Sequence, residues 1–200
     1  MKPLLVATHN EGKLKEISSI IEKLYPKRFN LFSLNDKSIT SEPVENGKNF
    51  CENSLIKAKY YAKIAQIPVI VDDAGLEINA LHGEPGIHSR RWPGHKATDE
   101  ELIYYALKKM ANIPTEKRGA QLTTCLSYFD PDSHILIQRS MSIKGIISKK
   151  ASEKRYPGYP YKSLFIVSAY KKFYGELTEQ EHKEINHRHI ALSLIFKKVV

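Results

Sequence analysis

Residues Pro68-Val69-Ile70-Val71 run straight into Asp72-Asp73-Ala74-Gly75-Leu76. A β-branched run of this kind suits a strand buried in a sheet. Two acids at its carboxyl end, with a glycine behind them, suit charge delivered to the lip of that sheet before the chain turns. Side chains alternate faces along a strand, so the two aspartates are expected to serve different purposes. Magnesium favours sites with a few carboxylates, retained waters and substrate phosphates. A helix start or a solvated turn would produce the same pair of acids.

A chain of 200 residues suits one domain or a domain with a small lobe. No apolar run approaches the roughly 20 residues that span a bilayer, and Leu4–Thr8 reads as a first strand rather than a signal peptide. These features predict a cytoplasmic protein with no membrane association. Cys51 and Cys125 lie far apart with no CxxC pair, which predicts reduced, structural thiols. The net charge of +9 suits an anionic partner or merely a solvated basic surface. Its short clusters, Lys108-Lys109, Lys149-Lys150 and Lys197-Lys198, are dispersed, which argues against a nucleic-acid stripe.

The first half alternates strand and helix. After the strand Leu4–Thr8 comes a polar loop, Thr8-His9-Asn10-Glu11-Gly12-Lys13, and then a helix to about Leu24. That layout aims backbone N–H groups at an anion. Lys13 opposes the helix dipole in the first turn, which makes more sense with an anion between; a surface lysine is the plain alternative. Asn30–Leu34 suits a second strand, and Asn49–Ala65 a helix with a small-residue face. Glu45, just ahead of that helix, is either a metal ligand or a favourable charge at its N-terminus. The Gly83–Gly94 stretch is a shaped loop, in which Arg90-Arg91 suits phosphate or surface acids and Trp92 suits a buried anchor or a base stack. Thr98 opens a helix to about Met110. Gly119–Phe129, His134–Arg139 and Met141–Ile147 read as strands. Tyr156-Pro157-Gly158-Tyr159-Pro160-Tyr161 can stack a planar ring or form a buried turn. A last helix is expected from Thr178 to Phe196, with Asn186-His187-Arg188 inside it or at a break. The pattern predicts an α/β fold with a mostly β extension.

Several of these stretches resemble one family in order and spacing over nearly the whole chain. Thr8-x-Asn10-x-x-Lys13 resembles its T-x-N-x-x-K signature, Asp72-Asp73-Ala74-Gly75-Leu76 its D-D-S-G-L, Gly83–Gly86 its G-x-P-G, and Asn186-His187-Arg188 its S-H-R. The family is the inosine/xanthosine triphosphate pyrophosphatases, also called Ham1-like. The resemblance implies a single domain, 1–200, with a mixed twisted sheet, flanking helices and two lobes around a central nucleotide cleft. It also implies a homodimer. The implied activity is hydrolysis of ITP, dITP and XTP to the monophosphate and pyrophosphate with Mg²⁺. That would be a house-cleaning role with no stable nucleic-acid partner.

Carried over by position, Asp73 is the implied general base and metal-side carboxylate, and Glu45 the metal-binding acid; Asp72 is a second metal contact or a strand-end hydrogen-bond partner. Substrate contacts are implied for Thr8, His9, Asn10, Glu11, Gly12, Lys13 and Lys57, and for Ala74. On the base side they fall on Tyr159, Pro160, Tyr161, Lys162, His182, His187 and Arg188. Tyr159 and Tyr161 are expected to stack, and His187 and Arg188 to approach the base. The chain departs from the family at the base loop, where Lys162 replaces an aspartate and Pro160 a glycine. It also has Asn186 and Ala74 in place of serines, and His182 where a lysine is common. The phosphate and metal half is thus kept better than the base half, and a preference for XTP over ITP is one expectation. The alternatives are a (d)NTP pyrophosphatase of broader base choice, and a non-catalytic basic module that binds nucleotides or RNA.

Overall fold

The computed structural model describes residues 1–199. Its main elements are β1 (Lys2–Val6), α1 (Glu11–Leu24), β2 (Phe29–Ser33), α2 (Phe50–Ala65), β3 (Val69–Ile78), α3 (Asp99–Lys109), β4 (Gly119–Phe129), β5 (Leu136–Ile147), β6 (Phe165–Val167), β7 (Lys172–Phe173), α4 (Glu179–Ile185) and α5 (His187–Phe196). The strands form one sheet in the order β2-β1-β3-β4-β5-β6-β7. β1 is parallel to β2 and β3, while β6 is antiparallel to β5 and β7. The fold is therefore a mixed α/β sheet with helices, as the strand–helix alternation predicts. Among the described residues no helix is long and apolar enough to cross a membrane.

Local chemistry starts most of the helices. Asn10 and Asn49 cap α1 and α2 by accepting backbone N–H groups three residues on, and Thr98–Glu101 and Thr178–Glu181 form capping boxes for α3 and α4. Two expectations change. β3 does not stop at the aspartates: Leu76 and Ile78 keep the alternation and are buried, so the strand carries Gly75 within it instead of turning there. β5 is one strand where two short ones were expected. Of the two readings left open for the last helix, the break holds: Asn186, with extended backbone (φ −60°, ψ 105°), ends α4 and precedes α5; asparagine is well suited to such a junction.

The chain gathers into two compact units. The first comprises Met1–Asp73, Thr124–Met141 and the described part of His187–Val200; the second comprises Ala74–Thr123 and Ser142–Asn186. The first unit has two cores, one on each face of its strands. Leu4, Val6 and Ile70 pack with Ile17, Ile21, Leu192 and Phe196 of α1 and α5. Leu5, Ala7, Val69 and Val71 pack with Ala58, Tyr61 and Ala62 of α2. Odd and even positions of β1 and β3 thus go to opposite faces, as strand geometry requires. In the second unit Leu76, Ile78, Leu102, Ala106, Ile147, Phe165 and Tyr174 form a single core.

Cys51 and Cys125 form a disulfide, with their Cα atoms 5.1 Å apart. This corrects the expectation of reduced thiols. A separation of 74 residues says nothing about distance in space, and the fold sets the first turn of α2 against β4. A buried polar network lies beside the bridge: Ser54 Oγ and Ser127 Oγ are 2.6 Å apart, and Gln138 Nε2 donates to Ser127 Oγ and to the Cys51 carbonyl at 2.8 Å each.

Candidate active site

The alternation of β3 decides where its acids go. Asp72 continues the face of Ile70 toward α1 and α5, and Asp73 continues the face of Val69 and Val71 toward α2. Both carboxylates are buried. Asp72 Oδ2 accepts from Lys13 Nζ and from Arg188 Nε, each at 3.0 Å, and Oδ1 accepts from the Thr124 hydroxyl. Arg188 also reaches Glu16 Oε2 at 3.5 Å. Burial on its own would raise the Asp72 pKa, but the Arg188 and Lys13 charges and the Thr124 bond outweigh it and hold the carboxyl well below the usual carboxylate range.

On the opposite face, Lys57 Nζ donates to Asp73 Oδ1 at 2.6 Å and lies 3.5 Å from Glu45 Oε1. Burial would lower the Lys57 pKa, yet the Asp73 and Glu45 charges more than reverse this and the amine stays protonated. Asp73 Oδ2 is buried with no hydrogen-bond partner. A lone carboxylate oxygen in such a place calls for a proton or a cation. Among the described residues no group of three or more His, Cys, Asp or Glu could hold a metal ion. The pair Asp73 and Glu45 nonetheless fits magnesium, which takes one or two carboxylates and completes its shell with water and substrate phosphates.

The loop bearing Glu45 is pinned at Gly47. Its N–H donates to Asn53 Oδ1 at 2.8 Å. A Cβ there would lie 2.6 Å from that oxygen and 2.7 Å from Glu52 Cβ. Gly47→Ala must therefore push the loop off α2, and Glu45 with it. We expect kcat for nucleotide hydrolysis to fall by about tenfold, as small misplacements of catalytic groups do. Steady-state kinetics beside a thermal melt checks this, and an unchanged kcat would show that the loop's path does not matter.

Two side chains of the N-terminal loop bond its own backbone. Thr8 Oγ1 accepts from the Asn10 N–H and Asn10 Oδ1 from the Lys13 N–H, each at 3.1 Å. His9 Nε2 lies 3.9 Å from Glu42 Oε1, with its ring edge-on to Tyr61. Glu11 is exposed and Gly12 half-buried in the first turn of α1. His187 is buried beside Arg188. All these groups, with Glu45, Lys57, Asp72 and Asp73, belong to the first unit.

The remaining candidates, Ala74, Tyr159, Pro160, Tyr161, Lys162 and His182, belong to the second unit. Pro160 opens a 3₁₀ turn, Pro160–Ser163. Lys162 Nζ lies 3.9 Å over the Tyr159 ring and 5.2 Å from that of Tyr174, and the Tyr174 ring lies 4.7 Å from that of His182. Two side chains expected at the base make other contacts. Tyr161 is a core residue, its hydroxyl donating to the Ser89 carbonyl at 2.8 Å and pushed up in pKa by burial, so its ring serves packing rather than stacking on a ligand. Arg188 places its guanidinium on Asp72 and Glu16. Trp92 donates to Glu84 and packs edge-on to Tyr105, and Arg90 pairs with Asp99. The residues that pattern reading missed are Glu16, Gly47 and Thr124. Nothing local marks Thr124, which lies 52 residues from the carboxylate it bonds.

Sheet order and site together define a mixed α/β protein that sets a carboxylate–lysine pair on each face of one strand. The sequence profile of the Ham1 family matches residues 4–198. A dITP/XTP pyrophosphatase of Thermus thermophilus is 35% identical over 194 residues, covering 97% of this chain and 90% of that protein. The dITP/XTP pyrophosphatase of Bacillus subtilis is 34% identical over 200 residues, covering 98% and 96%. The solved structure of the Staphylococcus aureus Ham1 protein superposes with a TM-score of 0.82 at 28% identity, covering 99% of this chain and 98% of that one. The chain belongs to the Ham1 family.

Proposed function

We propose that this protein is a nucleoside-triphosphate pyrophosphatase that hydrolyses ITP, dITP and XTP to the monophosphate and pyrophosphate. The observation that carries the reading is the Lys57–Asp73–Glu45 cluster with its bare, buried Asp73 Oδ2, in a chain whose relatives are named dITP/XTP pyrophosphatases. Asp73 orients a water through Oδ2 and takes its proton as the water attacks the α-phosphorus. Lys57 holds Oδ1 and so fixes the direction of Oδ2. Lys13 and Lys57 neutralise charge gathering on the leaving pyrophosphate. Positioning and electrostatics dominate such transfers, so no nucleophilic side chain is required. Magnesium, held by Glu45 and Asp73 when bound, supplies further neutralisation of the triphosphate oxygens. Within the second unit, Lys162 replaces an acid in the loop expected to read the base, and its cation supports a preference for the more acidic xanthine ring over hypoxanthine. The resemblance supports homodimeric assembly and a cytoplasmic location as part of the same reading.

The test is turnover of ITP, XTP, dGTP and dUTP with Mg²⁺, with pyrophosphate and orthophosphate measured separately. Pyrophosphate should be the product, with ITP and XTP ahead of the other two by at least about tenfold in kcat/KM. Equal rates on all four would remove the selective purine pocket, and orthophosphate release would remove the pyrophosphatase itself.

A further inference from the structure

We infer that Asp72 is a positioning residue, the buried counter-ion that fixes Lys13 against β3, and not a ligand of the divalent cation. The inference rests on the pyrophosphatase reading for what Lys13 does, but the geometry of Asp72 stands by itself.

A carboxylate offers about four lone-pair positions. On Asp72, Oδ2 already accepts from two cations, Lys13 and Arg188 at 3.0 Å each, and Oδ1 accepts from Thr124. Its side chain has no exposure to solvent. A dication bound there would have to displace both cations or lie in contact with them. Asp73 is the opposite case, with one oxygen on Lys57 and the other bare.

The two charges on Asp72 come from separate helices, α1 and α5, and Arg188 continues to Glu16 on α1. Lys13 stands on a flexible four-carbon stem in the first turn of its helix, where the dipole opposes it. Asp72 removes that freedom. The Lys13 side chain keeps 16% exposure, and an ammonium has three donors, so the amine can remain on Asp72 while offering a proton to a phosphate oxygen. A cation fixed before the ligand arrives costs no reorganisation during reaction.

The experiment compares wild type, Asp72→Asn, Thr124→Val, Lys13→Met and the double variant Asp72→Asn/Lys13→Met. Two quantities are read: steady-state pyrophosphate release from XTP, and Mn²⁺ affinity by electron paramagnetic resonance without nucleotide. Asp72→Asn should lower kcat by about 10- to 100-fold with little change in KM. Its Mn²⁺ affinity should stay within about threefold of wild type, whereas loss of a metal-site group costs about 10- to 100-fold. The double variant should be no slower than Lys13→Met, because residues that act as a unit are not additive. Thr124→Val keeps every charge and loses only the hydroxyl on Oδ1; it should lower kcat by about three- to tenfold, and it carries the test if Asp72→Asn does not fold. A Mn²⁺ affinity lowered by about tenfold or more, a kcat loss that multiplies with that of Lys13→Met, or an unchanged kcat each overturns the proposal. A wild type that releases no pyrophosphate sinks the functional reading instead, and the Mn²⁺ arm still decides whether Asp72 is a ligand.

Discussion

Asp73→Asn should slow pyrophosphate release by about 10²–10⁴-fold, the usual cost of removing a general base, equivalent to about 3–5 kcal/mol of barrier. The substitution is nearly isosteric, and its amide oxygen can still accept from Lys57, which now sits 2.6 Å from Oδ1. What disappears is the basic oxygen that lies buried and without a partner. The loss should therefore fall on kcat while the fold, followed by circular dichroism and thermal melting, stays close to wild type. Wild-type-like release from a folded Asp73→Asn protein would end the assignment of Asp73 as the base. Lys57 would then be left facing Glu45 as its one remaining full charge in the cluster, so a modest drop in melting temperature would not contradict the reading.

Reducing the Cys51–Cys125 bridge should destabilise the protein by about 4 kcal/mol, because a loop of this length restricts the unfolded chain strongly. The bridge joins positions 74 residues apart. Denaturant unfolding with and without a dithiol reductant measures the difference, and Cys51→Ser should reproduce the reduced value whether or not reductant is present. Native contacts on either side would persist, since Ser54, Ser127 and Gln138 hold the same junction through hydrogen bonds. The effect should thus appear in the unfolding midpoint well before it appears in turnover. Equal midpoints in oxidised and reduced protein would show that the bridge contributes nothing to stability.

Local chemistry was legible in the sequence wherever it acts over one turn of helix or one strand. The caps at Thr98 and Thr178 sit where the pattern places them, and the β-branched run ahead of Asp72 is a strand buried on both faces. Gly75 was a misleading signal. A glycine after two acids suits a turn, but the buried Leu76 and Ile78 draw the strand onward. Contacts between distant residues left no trace in local pattern. Arg188 lies 116 residues from Asp72, and only the fold brings it to that carboxylate rather than outward. The same holds for the two cysteines, and for Tyr161, whose place in an aromatic, proline-rich stretch suggested a platform while its burial makes it part of a core. Nothing local marks Gly47 either, because the need for glycine there comes from Asn53, six residues away.

The two acids of β3 are joined by a single peptide bond, yet a whole layer of backbone separates their surroundings. Each answers to a different set of helices. Substitutions around α1 and α5 can retune the grip on Lys13 without touching the oxygen that faces α2, and the reverse also holds. What neither side tolerates is a change of chain length upstream in the strand, which would exchange the two neighbourhoods at a stroke. A protein of this design is free to vary in composition on both flanks while its count of residues from Val69 to Asp73 stays fixed.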